Sequence, residues 1–88
     1  MNITSIAVAG TLESSDIYVE VEPSEKLELN IESVVLNQYG DEIRATILSV
    51  LEDLGVTSGK ISVQDKGAID CTIRARVETA VRRAGGEK

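Results

Sequence analysis

The residues of this chain most open to chemistry lie together in the stretch Glu13-Ser14-Ser15-Asp16. A serine hydroxyl can carry a covalent group or, once deprotonated, attack as a nucleophile, and flanking carboxylates can bind a cation or polarise the hydroxyl. Nucleophilic catalysis also needs a base. The chain contains no histidine, which removes the usual general base, the Ser-His-Asp arrangement and the commonest metal ligand together. Its one cysteine, Cys71, cannot build a zinc cluster, and neither a GxGxxG nor a GxxxxGKS/T phosphate loop occurs. Free-standing enzymatic chemistry is therefore not expected. Cys71 stands two positions from each of Ile69 and Ile73 and reads as a small packed residue; a lone cysteine excludes an internal disulfide and fits a reducing compartment. Taken alone, Ser14 and Ser15 are turn residues beside solvated acids. What their position offers is access, because a hydroxyl at the tip of a hairpin is held out where another protein can reach it.

The elements that would position these serines follow from hydrophobic periodicity. Ile6, Val8 and Leu12 read as an opening strand ending near Leu12, with the small residues Ala7, Ala9 and Gly10 allowing close packing on its other side. Beyond Asp16, Ile17, Val19 and Val21 alternate with Tyr18, Glu20 and Glu22, the pattern of a half-buried strand. Pro23-Ser24-Glu25-Lys26 is a turn signal, and Leu27, Leu29 and Ile31 then alternate with Glu28, Asn30 and Glu32, so the pair reads as a hairpin. From Ser33 the period changes. Ile43, Ile47, Leu51 and Leu54 recur at helical steps, Asp41 and Glu42 suit the helix start, and Gly55 suits its end. Ile61 and Val63 form a further short strand, closed by the turn Asp65-Lys66-Gly67. The last stretch fits a strand through Ile69, Cys71, Ile73, Ala75 and Val77, or a helix through Ile69, Ile73, Val77, Val81 and Ala84. Its length, its alanines and arginines, and Arg82 and Arg83 at the end favour the helix. The order β-β-β-α-β-α predicts a small α+β two-layer domain, a mostly antiparallel sheet with two helices on one face. Residues 1–84 form one domain in this reading, and 85–88 a frayed tail.

Composition narrows the partners. With 88 residues the chain has room for one core, and with only two aromatics, Tyr18 and Tyr39, that core must be aliphatic and base stacking is nearly excluded. The net charge of −6 falls entirely before Ser33, where seven acids face Lys26 alone; eight acids and eight bases follow. Such an acidic section disfavours nucleic acid and suits a basic protein surface. The opening MNITSIAVAGTLE lacks a positive n-region and a long apolar run, so neither a signal peptide nor a membrane span is expected, and a cytoplasmic protein is.

Three segments, "AVAGTLESSD", "YGDEIRATILSVL" and "DKGAIDCTIRAR", resemble in order and spacing the acyl carrier protein, or gamma subunit, family of citrate lyase, over nearly the whole chain. No Asp-Ser-Leu motif of the helical acyl carriers occurs. The resemblance implies that Ser14, the serine of "GTLES", carries a 2'-(5''-phosphoribosyl)-3'-dephospho-CoA arm through a phosphodiester, and that Ser15 stands where the family often has glycine. It implies a carrier without catalytic residues of its own. On the tethered thioester, an alpha subunit (citrate:acyl carrier transferase) exchanges acetyl for citryl and releases acetate. A beta subunit (citryl lyase) then cleaves the citryl group to oxaloacetate and restores acetyl. A transferase that attaches the arm and a ligase that acetylates it are further implied partners. Beside Ser14, the acids Glu13, Asp16, Glu20 and Glu22 are candidates for docking onto basic subunit surfaces. The alternatives are the carrier of a related enzyme such as malonate decarboxylase, and an acidic interaction module without a covalent group.

Overall fold

The computed structural model describes residues 1–86, apart from the side chains of Leu36 and Asn37; Glu87 and Lys88 of the expected frayed tail lie outside the described residues. The elements run β1 (Ala7–Gly10), β2 (Ile17–Glu22), β3 (Leu27–Ser33), α1 (Leu36–Asp53), β4 (Gly59–Asp65) and α2 (Asp70–Ala84). This is the expected β-β-β-α-β-α order, folded as a four-stranded sheet and two helices. The alternation read in β2 is present residue by residue: Ile17, Val19 and Val21 are buried, and Tyr18, Glu20 and Glu22 point to the open face. In α1 the helical spacing of Ile43, Ile47, Val50 and Leu51 turns one stripe inward, and in α2 Ile73, Val77, Ala80, Val81 and Ala84 do the same. These stripes meet the inner face of the sheet in one aliphatic core. The last segment is thus a helix from Asp70, and Ile69, just before it, is exposed.

The strand order is β1-β2-β4-β3, which corrects the expected hairpin. β2 and β3 do not pair. β4 lies between them, antiparallel to β2 and parallel to β3, so the sheet is mixed. Residues 23–26 cross the N-terminal end of β4, bridging two strand spacings, about 10 Å, a gap that four residues span easily. Inserting β4 also separates the two rows of glutamates. Lys60 lies between Glu22 and Glu28, and Gln64 lies between Tyr18 and Glu32, so the like charges that a hairpin would oppose directly are interleaved with a cation and neutral side chains. The β3–α1–β4 crossover produces this arrangement, and it is a long-range event that the turn at Pro23 does not reveal.

Local readings are also corrected at three further points. In β1 the faces are reversed: Ala9 is buried and Ala7 packs on the core, while Val8, Ile6 and Leu12 are exposed. The strand lies directly against α2, where small side chains permit the close approach and larger ones are turned out. Helix α1 begins at Leu36, before Asp41, and has no acid in its first turn. Its start is fixed from outside. The buried Asp65 carboxylate accepts the Ser33 hydroxyl at 2.7 Å, and Ser33 Oγ in turn accepts the Val35 N–H at 3.1 Å. The helix end is where expected. Gly55, at φ +68°, donates to the Glu52 carbonyl at 3.0 Å and Val56 to that of Leu51 at 2.9 Å, the paired bonds of a Schellman cap. Finally, Cys71 is exposed, because the helical period that buries Ile73 and Val77 turns it outward.

Candidate functional site

Because β2 is antiparallel to β4 and β3 parallel to it, the loop from Thr11 to Asp16 stands at the same end of the sheet as the starts of α1 and α2. The loop is entered at Gly10, whose φ is +90° and where a Cβ would lie 1.8 Å from the carbonyl oxygen of Ile17. Only glycine permits that approach, which lets the chain leave β1 tightly and return to pair at Tyr18. On the far side, the Ser15 N–H donates to the Lys66 carbonyl at 2.8 Å and the Lys66 N–H to the Asp16 carbonyl at 2.9 Å. These two bonds extend the β2–β4 ladder into the loop.

Asp16 organises the rest. Its carboxylate accepts the Thr11 hydroxyl at 2.7 Å, the Ile17 N–H at 2.7 Å, and a fork from α2 in which Arg76 Nε and Nη2 donate at 3.1 and 2.9 Å. Thr11 Oγ1 also accepts the Glu13 N–H at 3.2 Å, and the Asp16 N–H donates to the Glu13 carbonyl at 3.2 Å. The Thr11 hydroxyl, then the Arg76 fork and the Ile17 amide, hold the Asp16 carboxyl down at about 2 from 3.8. All of these donors favour the ionised form. The loop is therefore clamped through the side chain of one residue to α2, and through its backbone to β4.

On this frame Ser14 is exposed, and no hydrogen bond engages its hydroxyl among the described residues. Ser15 is exposed as well, but its backbone has φ +65°, the only non-glycine positive φ among the described residues. That left-handed conformation is one glycine adopts freely, which gives a physical reason for the glycine implied at this position. Glu13 is exposed beside Ser14. Glu20 and Glu22 point to the open sheet face, where Glu22 pairs with Lys60 at 3.7 Å. Of the four acids singled out in the sequence, the structure therefore brings Glu13 and Asp16 to the serine and leaves Glu20 and Glu22 on the sheet. Asp16 spends its carboxylate inward, and its side chain is only 14% exposed. No local pattern links Arg76 of α2 to a loop 60 positions earlier, whereas Thr11, five residues before Asp16, was within reach of a local reading as a side-chain partner in the same turn. No group of three or more histidine, cysteine, aspartate or glutamate residues able to hold a metal ion forms among the described residues.

A family profile described as "ACP: Malonate decarboxylase delta subunit (MdcD)" matches residues 4–84. Among similar curated proteins, the citrate lyase acyl carrier protein of Haemophilus influenzae (strain PittEE) is 52% identical over 87 residues, 99% of this chain and 92% of that protein. The chain belongs to the citrate lyase acyl carrier family. A second member of that family, from Treponema denticola, is 54% identical over 84 residues, covering 96% of this chain and 97% of its own length. The fold has a solved counterpart in a Pseudomonas malonate decarboxylase hetero-tetramer in complex with malonate. One chain of it superposes with a TM-score of 0.81 at 23% identity, over 94% of this chain and 87% of that one. Among the described residues no helix is long and apolar enough to cross a membrane.

Proposed function

We propose that residues 1–84 act as the acyl carrier domain of a citrate lyase, with Ser14 as the point of attachment of a phosphoribosyl-dephospho-coenzyme A arm. The observation that carries this reading is the exposed Ser14 hydroxyl at the tip of a loop held from behind by Asp16, Arg76 and Lys66, in a chain of the acyl carrier family. The residues present fit such a group. The Ser14 oxygen faces solvent, so it can become an ester oxygen of a phosphodiester, losing its proton, without displacing any packed side chain. When bound, the arm would supply a terminal thiol that holds acetyl or citryl as a thioester. This chain supplies none of the bond-breaking chemistry. It binds the arm, fixes its root and presents it to the subunits that exchange and cleave the acyl group. A fixed root raises the local concentration of the thioester at both active sites.

The acids divide the remaining work. Glu13 beside the serine and Glu20 and Glu22 on the open sheet face form the surface that docks onto basic regions of the transferase and lyase subunits, setting association rate and its salt dependence. Asp16 acts indirectly, by holding the loop. The test is loading of Ser14→Ala by the arm-attaching transferase: the variant keeps its fold and gains no mass. The carrier of malonate decarboxylase is the second reading, supported by the family description, and the identity of the acyl group that the loaded protein accepts separates the two.

A further inference from the structure

A groove of about 330 Å³ lies between the first half of α1 and the start of α2, at the small end of the range of about 300–1,000 Å³ found for ligand pockets. Its walls are mostly apolar, with Ile43 and Ile73 at the back and Ala68 and Ile69 on the near side, and the exposed acids Glu42 and Asp70 stand at its border. Among the described residues no side chain fills it, although Ile69 is 66% exposed there. Its position is what matters. Gly67, also in the wall, follows Lys66, whose carbonyl accepts the Ser15 N–H at 2.8 Å. Adding the backbone bonds along this path puts the Ser14 and Gly67 Cα atoms within about 10 Å of each other. The groove therefore opens beside the attachment loop and at the same end of the sheet.

We propose that this groove is the resting site of the distal, uncharged end of the arm carried by Ser14 of the same chain, in its acetyl thioester state. The inference rests on the attachment proposed above. Three features select this occupant. The groove is tethered to the root of the arm, so entry is intramolecular and costs little association entropy. It is apolar and small, which suits an amide-linked alkyl chain ending in an acetyl thioester. Its border is acidic, which repels the phosphate-bearing root and any acyl group with a carboxylate. Burial there would shelter the acetyl thioester from water between turnovers, and replacing acetyl by a carboxylated acyl group would expel the arm toward a partner subunit.

The test compares methyl-labelled apo protein with fully acetyl-loaded protein by nuclear magnetic resonance, after intact mass has established loading on Ser14. The expected result is a shift of the Ile43, Ala68, Ile69 and Ile73 methyl resonances, with contacts from these methyls to protons of the arm. Those shifts should be lost when a succinyl group replaces acetyl, and lost again in Ile69→Asp, an exposed N-cap position of α2 where aspartate should hold or raise the melting temperature. Should Ile69→Asp melt early, Tyr39→Glu at the same border serves instead. A fully loaded protein whose groove methyls match those of the apo form overturns the proposal, as do groove shifts that depend on protein concentration, which indicate a second copy. Equal shifts with acetyl and succinyl overturn the charge selection. A protein that gains no mass with active transferase fails at the attachment itself and takes this inference with it.

Discussion

Replacing Ser15 by glycine should stabilise the domain and leave the attachment proposed at Ser14 intact. Ser15 holds φ +65°, and a left-handed backbone costs an L-residue roughly 1–2 kcal/mol. Glycine removes that cost but adds roughly 0.5–1 kcal/mol of unfolded-state entropy. The Ser15 side chain is exposed, so little packing is lost. At the middle of both ranges the difference leaves a gain of about 0.75 kcal/mol, which for a domain of this size raises the melting temperature by roughly 3–6 °C. Thermal unfolding followed by circular dichroism reads this directly. Two companion variants bracket it: Ser15→Ala keeps the strained backbone and should melt close to the parent, and Ser15→Val, β-branched, should melt lower. Loading measured by intact mass should be the same for Ser15→Gly and Ser15→Ala as for the parent, because the attachment proposed at Ser14 makes no use of the Ser15 hydroxyl. A Ser15→Gly protein that melts lower than the parent refutes the strain argument, and one that no longer accepts the arm shows that Ser15 itself is the attachment residue.

Other outcomes follow from the clamp, the buried carboxylate and the acidic face. Because the folded Asp16 carboxyl titrates near 2 and below its ordinary 3.8, its contribution to stability is complete above about pH 4 and is lost as the pH falls toward 2; Asp16→Asn should lack this limb in acid titrations of stability and load more slowly at neutral pH. Asp65→Ala strips the buried acceptor of Ser33 Oγ and the Ala68 N–H and should cost about 2–4 kcal/mol in urea unfolding, with amide exchange rising first at the start of α1. Charge reversal at Glu13 and Glu20 should slow arm attachment several-fold at low ionic strength, with the gap to the parent closing as salt is added; identical rates at low salt would remove these residues from docking.

Much of this architecture is legible in short stretches of chain. The period of two in residues 17–22 and the helical period through Ile43, Ile47 and Leu51 reflect burial on one face, and burial is what periodicity reports. Gly55 marks a helix end because a local φ demands it. What escaped is long-range. β4 separates β2 from β3 only because α1 carries the chain back across the sheet, so the turn at Pro23 mimics that of a true hairpin. The start of α1 is set by Ser33 and Asp65, 32 residues apart, and so the acids at 41 and 42 misled. The serine loop itself was visible as Glu13-Ser14-Ser15-Asp16, but the reason it is rigid, the Arg76 fork on Asp16, joins residues 60 positions apart. That same contact changes the meaning of Asp16 from a surface charge to an internal brace.

Whether Ser14 carries the acyl arm is read by intact mass with peptide mapping after incubation with the arm-attaching transferase and its donor, for the parent chain and Ser14→Ala side by side. A mass gain equal to the phosphoribosyl-dephospho-coenzyme A group, mapped to the Ser14 peptide and absent from Ser14→Ala, is the expected result. A Ser14→Ala protein that gains the same mass, or a parent chain that gains none beside a family member that the same enzyme loads, contradicts it.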